Sequence, residues 1–97
     1  MADYSERRIW ELASAERFDD ALVLLREIED QRPLSPVELV AKGRWIQVAE
    51  HSGYELEDAR TSFERALEVD SSYVPALQEL AWFHYAVEND AKKALGV

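Results

Sequence analysis

The stretch Leu56–Asp70, LEDARTSFERALEVD, decides the fold. Its apolar residues Leu56, Ala59, Phe63, Ala66 and Leu67 recur at intervals of three and four, which places all five on one face of a helix. Ala59 and Ala66 are small enough to let a second helix approach closely, and Phe63 between them is a knob that must enter a neighbour. A single amphipathic helix of this length does not hold its shape alone in water, so the rest of the chain must supply the surface that covers it.

Reading upstream, Pro36 to about His51 predicts another helix. Ser35 and Glu38 have the spacing of a capping box, and Pro36 sits at the first helical position, where proline is best tolerated. Leu39, Gly43 and Ile46 fall on one side of it, and Val37, Val40 or Ala41, Arg44 and Val48 on another. A glycine inside a helix costs about 1 kcal/mol relative to alanine, so Gly43 is read as a point of close packing. Gly53 offers a left-handed stop. Before Pro36, the segment Gln31–Pro36 with its two prolines is a break. Ahead of the break lie two helices: one from Tyr4 to Glu16, with Asp3 as cap and Ile9, Leu12 and Ala13 inward, and one carrying Phe18, Ala21, Leu22, Leu25 and Ile28 at helical spacing. Downstream of Asp70, Tyr73 to Glu88 predicts a fifth helix with Ala76, Leu77, Leu80, Ala81 and His84 on its inner side, the histidine as a partly buried core residue. Asn89-Asp90 interrupts it, and the final AKKALGV reads as the start of one more helix.

Composition narrows the function classes. A net charge of -9 and a pI near 4.6 disfavour nucleic acid, whose phosphates demand clustered Lys and Arg, and favour a neutral or basic partner. The absence of cysteine removes disulfides, thiolate metal sites and thiol nucleophiles, and suits a reducing compartment. No window approaches the ~20 apolar residues of a membrane span and no signal peptide is legible, so the expectation is a soluble cytoplasmic protein. His51 and His84 fall on different helices, the serines lie in no nucleophile motif, and there is neither a phosphate-binding glycine loop nor a paired-histidine metal motif. The expectation is therefore no enzyme, no cofactor and no metal.

Aligning small residues brings Ala21, Ala59 and Ala94 into register, 38 and 35 residues apart, near the period of about 34 seen in helical-hairpin repeats. With Gly43 in one helix, Ala59, Phe63 and Ala66 in the next, and Asp70 closing the unit, the chain resembles the tetratricopeptide repeat family. Leu77, Leu80 and Ala81 fit the start of a further unit. The first unit departs from the pattern with bulky Ile9, Ser71 stands where the family prefers proline, and the middle unit is about four residues long, placed as an extra turn around Ala49 to Tyr54.

The resemblance implies an all-α fold of antiparallel hairpins stacked as a short right-handed solenoid, in one domain with units of about 4–32, 36–70 and an incomplete 73–97. It further implies a concave groove lined by the first helix of each hairpin, here Glu6 and Trp10, then Val40, Arg44 and Gln47, then Gln78, Trp82 and Tyr85. Tryptophan, tyrosine and arginine dominate binding hot spots, so this face is expected to hold a peptide or protein segment. Trp10 and Trp45 are read first as packing residues, and Trp82 and Tyr85 either as ligand contacts or as cover for the end of the stack. Of the residues at the places that clamp acidic tails in the family, only Arg44 suits that use. Two alternatives stand beside the groove: an acidic, immunity-like inhibitor masking a basic partner, and self-assembly of a repeat fragment as a homodimer through the C-terminal helix.

Overall fold

The computed structural model describes residues 4–49 and 53–85. All regular structure within them is helical: α1 (Tyr4–Ser14), α2 (Phe18–Gln31), α3 (Pro36–Val48), α4 (Leu56–Val69) and α5 (Val74–Phe83).

Each reversal has a local cause. Between α1 and α2 the chain turns without glycine, because Glu16 adopts a left-handed φ of 60° while the Arg17 N–H reaches back to the Leu12 carbonyl at 2.8 Å. Before α3, the capping box forms as expected: the Glu38 N–H donates to Ser35 Oγ at 3.3 Å and the Ser35 N–H to Glu38 Oε1 at 2.8 Å. Arg32, immediately past α2, adds a fork of two bonds to the same carboxylate at 2.8 and 2.7 Å, which fastens the linker to the helix it precedes. At the head of α4, Asp58 accepts the Glu55 N–H at 2.8 Å. Gly53 takes a left-handed φ of 81°, but it lies five residues past the end of α3 at Val48 and so is not the stop of that helix that the sequence implied.

The core runs through the helices as one cluster, with Ile9, Leu22, Leu25, Leu39 and Phe63 almost wholly removed from water. The contact between α3 and α4 is the most extensive, and it is set by the pair the sequence singled out. Phe63 is fully buried with its ring over Gly43, so close that a β-carbon there would lie 2.6 Å from Cζ and 2.9 Å from Cδ1. Ala59 and Ala66 on either side are also fully buried. Glu29 of α2 takes Lys42 of α3 at 3.1 Å and Arg65 of α4 at 3.0 Å, tying three helices together.

Several expectations shift. Leu56 is 47 % exposed rather than inward. With Gly43 against Phe63, the antiparallel register sets Val48 level with Asp58, so Leu56 lies beyond the end of α3 and has nothing from it to bury against. α3 itself ends at Val48, not His51, because Ala49 turns extended (φ −75°, ψ 134°); the extra residues of this unit form no helical turn at Ala49 or at Gly53–Glu55, and 50–52 lie outside the described residues. α1 ends at Ser14 rather than Glu16. In α5 the buried side is Ala76 and Phe83 with Leu80 half-buried, whereas Leu77, Ala81 and His84 are exposed. The inner stripe is thus rotated from the expected one, since α5 presents to α4 and α3 the face bearing Phe83, which the sequence reading had passed over. His84 continues the helical backbone as an exposed residue rather than a core histidine. The Asp3 cap, the end of α5 near Glu88 and the final AKKALGV lie outside the described residues.

Candidate functional site

The odd-numbered helices meet one another at two places. Trp10 of α1 packs edge-on to Trp45 of α3, ring centroids 5.5 Å apart and planes at 70°. Arg44 of α3 donates from Nε to Glu79 of α5 at 2.6 Å. Between α3 and α5 lies an open groove of about 340 Å³, lined by Arg44, Gln47, Val48, Gln78, Glu79 and Trp82. Trp82 is 60 % exposed and Tyr85 65 %, and their rings stack at 6.2 Å with planes 27° apart, extending the groove wall by a second aromatic face.

Four of the eight expected groove residues, Arg44, Gln47, Gln78 and Trp82, therefore line one concavity, and Tyr85 joins it through Trp82. Trp10 stands at a second recess of about 380 Å³ with Arg32, Ser35, Val37 and Glu38. Half of the packing role expected for the two tryptophans holds in full: Trp45 is 6 % exposed, while Trp10 rests one edge on it and remains 41 % exposed. Val40 is not a groove residue, because it is only 3 % exposed and belongs to the core. The Glu6 side chain lies outside those described. Two lining residues were missed, Val48 and Glu79. Val48 had been placed on the same side of α3 as Arg44, which was signal enough; Glu79 follows Arg44 by 35 residues, about one repeat, but a carboxylate carries no periodic signal of its own.

Charge is unevenly shared among the helices. α2 sets Asp19, Asp20, Glu27, Glu29 and Asp30 against Arg26 alone, and α4 sets Glu57, Asp58, Glu64 and Glu68 against Arg60 and Arg65. In α1 the two signs balance, α3 has a surplus of one cation and α5 has only Glu79, so the three helices that frame the two recesses are neutral together. The charges that line them are also neutralised locally, Arg44 by Glu79 and Glu38 by Arg32.

The pKa displacements follow the same pairing. For Glu38 the Arg32 guanidinium outweighs burial and, with the Ser35 bonds, holds the carboxyl below its ordinary range. For Glu29 burial pushes upward, but the bonds and charges of Lys42 and Arg65 together overcome it and the net displacement is downward. Among the described residues no three His, Asp or Glu side chains converge as a metal site, and no helix is long and apolar enough to cross a membrane.

Compared with protein-family models, curated proteins and solved structures, the chain has no match. Function therefore has to be argued from the groove itself. Its donors and acceptors are two exposed glutamine amides and an ion pair formed within the protein, and its apolar surface is Val48 and Trp82, on which Tyr85 stacks. Such a lining presents apolar surface and amide hydrogen-bonding groups side by side.

Proposed function

We propose that the chain is a non-enzymatic protein-interaction module of tetratricopeptide-like hairpins that seats a segment of a partner protein in the groove between α3 and α5. The observation that carries this reading is the exposed Trp82–Tyr85 stack at the wall of a concavity floored by Arg44, Gln47 and Gln78. Large aromatic side chains left in water beside a recess are costly to keep there, and aromatic residues with arginine supply most of the energy at interface hot spots.

The hairpin reading is supported by the close crossing of Gly43 on Phe63 flanked by Ala59 and Ala66, and by odd helices that touch through Trp10–Trp45 and Arg44–Glu79. Stacked hairpins present the first helix of each unit on one side, and these are the helices on which the aromatic and amide residues lie. Glu29 and Glu38 are held ionised by the cations they pair with, which suits a structural rather than a chemical role for these two carboxylates. A chain without cysteine suits the cytoplasm.

The test is affinity capture with the wild-type chain and with Trp82→Ala/Tyr85→Ala, followed by calorimetry on the purified captured protein. Binding that falls by tenfold or more in the variant, with helicity unchanged, is the expected result. Equal binding by both forms would refute the groove as the site.

A further inference from the structure

Resting on that reading of the groove, we propose that its occupant is an uncharged amphipathic helix of a partner protein, held by two apolar anchors about three helical turns apart. The charges that line the two places are each paired within the protein, Arg44 with Glu79 at 2.6 Å and, at the second recess, Glu38 with Arg32 at 2.7 Å. A charged ligand side chain entering either place would lose water without gaining a counter-ion. The carboxylate excess that makes the whole chain acidic sits on α2 and α4, not on the helices that frame the groove. The complementary partner surface is therefore neutral, although the net charge of the protein is -9.

Val37, Arg44 and Val48 are separated by seven and four residues, which puts them within about 40° of arc on one stripe of α3. All three are exposed. Val37 shares its recess with Trp10, and Val48 shares the groove with Trp82, so the stripe has an apolar and aromatic station at each end and an ion pair between. The two stations are about 16 Å apart along α3 at 1.5 Å per residue. A ligand helix meets both with residues i and i+11. An extended segment spans the same distance, but this floor is made of helix side chains and offers no backbone edge to pair with, so a segment whose own N–H and C=O groups are already bonded is the better occupant.

The probes are two synthetic helical peptides of about 16 residues with leucines at i and i+11, one otherwise uncharged and one carrying four lysines on its outer face. Binding is followed by tryptophan fluorescence and calorimetry at low and high salt. The uncharged peptide is expected to bind with an affinity that changes less than about threefold with salt, and to lose about tenfold with Trp82→Ala, with Val37→Ser, or when the second leucine is moved to i+9. Val37→Ser is used in place of a Trp10 variant because Trp10 packs on buried Trp45, whereas Val37 is half-exposed and not part of the core, so its loss reads the recess rather than folding. Tighter binding of the lysine peptide with steep salt dependence would overturn the neutral occupant while leaving the groove in place. Failure of both peptides, or binding indifferent to Trp82→Ala, would overturn the groove itself. A wild-type dimer in sedimentation that dissociates with Trp82→Ala would make a second copy the occupant and refute the proposal.

Discussion

Substituting Gly43 by alanine sets two effects of opposite sign against each other, and the structure decides between them. Helix propensity alone favours the change, because alanine in a helix interior is about 1 kcal/mol better than glycine. Packing opposes it. The added methyl would stand 2.6 Å from Phe63 Cζ and 2.9 Å from Cδ1, with Cε1 nearer still, so three ring atoms must withdraw by about an ångström. The ring has nowhere to go: Phe63 is fully buried, between Ala59 and Ala66, which are fully buried as well. Overpacking of a tight core costs about 1–3 kcal/mol, and a clash with an immovable ring belongs at the upper end, so the net expectation is a loss of about 2 kcal/mol. Urea denaturation followed by helical circular dichroism should show a lower midpoint with an unchanged slope. In a double-mutant cycle with Phe63→Leu, the shorter side chain leaves room for the methyl, and the coupling should recover about 1–2 kcal/mol. If Gly43→Ala is as stable as wild type or more so, the close crossing of α3 and α4 is wrong, and with it the register that sets the groove.

The remaining predictions concern the tryptophans, the buried carboxylates and the turn after α1. Trp45→Ala, which empties a buried site, should cost about 3–5 kcal/mol, while Trp82→Ala should change stability by less than about 0.5 kcal/mol; similar losses for both would contradict their placement. Glu38 and Glu29 have pKa values lowered from the ordinary 4.5, so the stability they contribute is fully present above that value and is lost as pH falls through their folded values. Urea midpoints measured from pH 7 to 3 should decline most steeply below about 4.5, and Glu38→Gln should flatten part of that decline. Glu16→Gly relieves a left-handed side-chain-bearing residue and should raise stability by about 0.5–1 kcal/mol; a thermal midpoint below wild type would show that the turn is not strained there.

Most of the helices were legible because their signals are local. The capping box at Ser35 and Glu38, proline at the first position of α3 and the apolar periods of α2 and α4 each depend on residues within a turn or two of one another. Gly43 and Phe63 were legible for a different reason: a glycine inside a helix and a large ring between alanines are each anomalous alone, and they explain one another when brought into contact. What failed was long-range. Leu56 obeys the apolar period of α4, yet whether it is buried depends on where α3 stops, and that is set by the extended backbone of Ala49. In α5 two apolar stripes, Ala76-Leu80-Phe83 and Leu77-Ala81-His84, satisfy the helical period equally well, and only the position of α4 selects the first.

The same distinction governs the site. Arg44, Gln47, Gln78 and Trp82, which the family resemblance implied on one face, line a common recess because they lie on the exposed sides of two neighbouring regular helices, α3 and α5. Val40 satisfies the same arithmetic and is nonetheless core, because a helix enclosed by neighbours on several sides exposes a narrower stripe than period alone assigns; the stripe is Val37, Arg44 and Val48. The electrostatics were the least legible part. Net charge is a property of the whole chain, and read that way it pointed to a neutral or basic partner without choosing between them. Once the helices are placed, the carboxylates separate onto α2 and α4 while the cations of the groove and linker are consumed by Glu79 and Glu38. If the proposal holds, a partner in the groove meets aromatic surface, amides and paired charges, and the acidity of the chain governs its approach more than its fit.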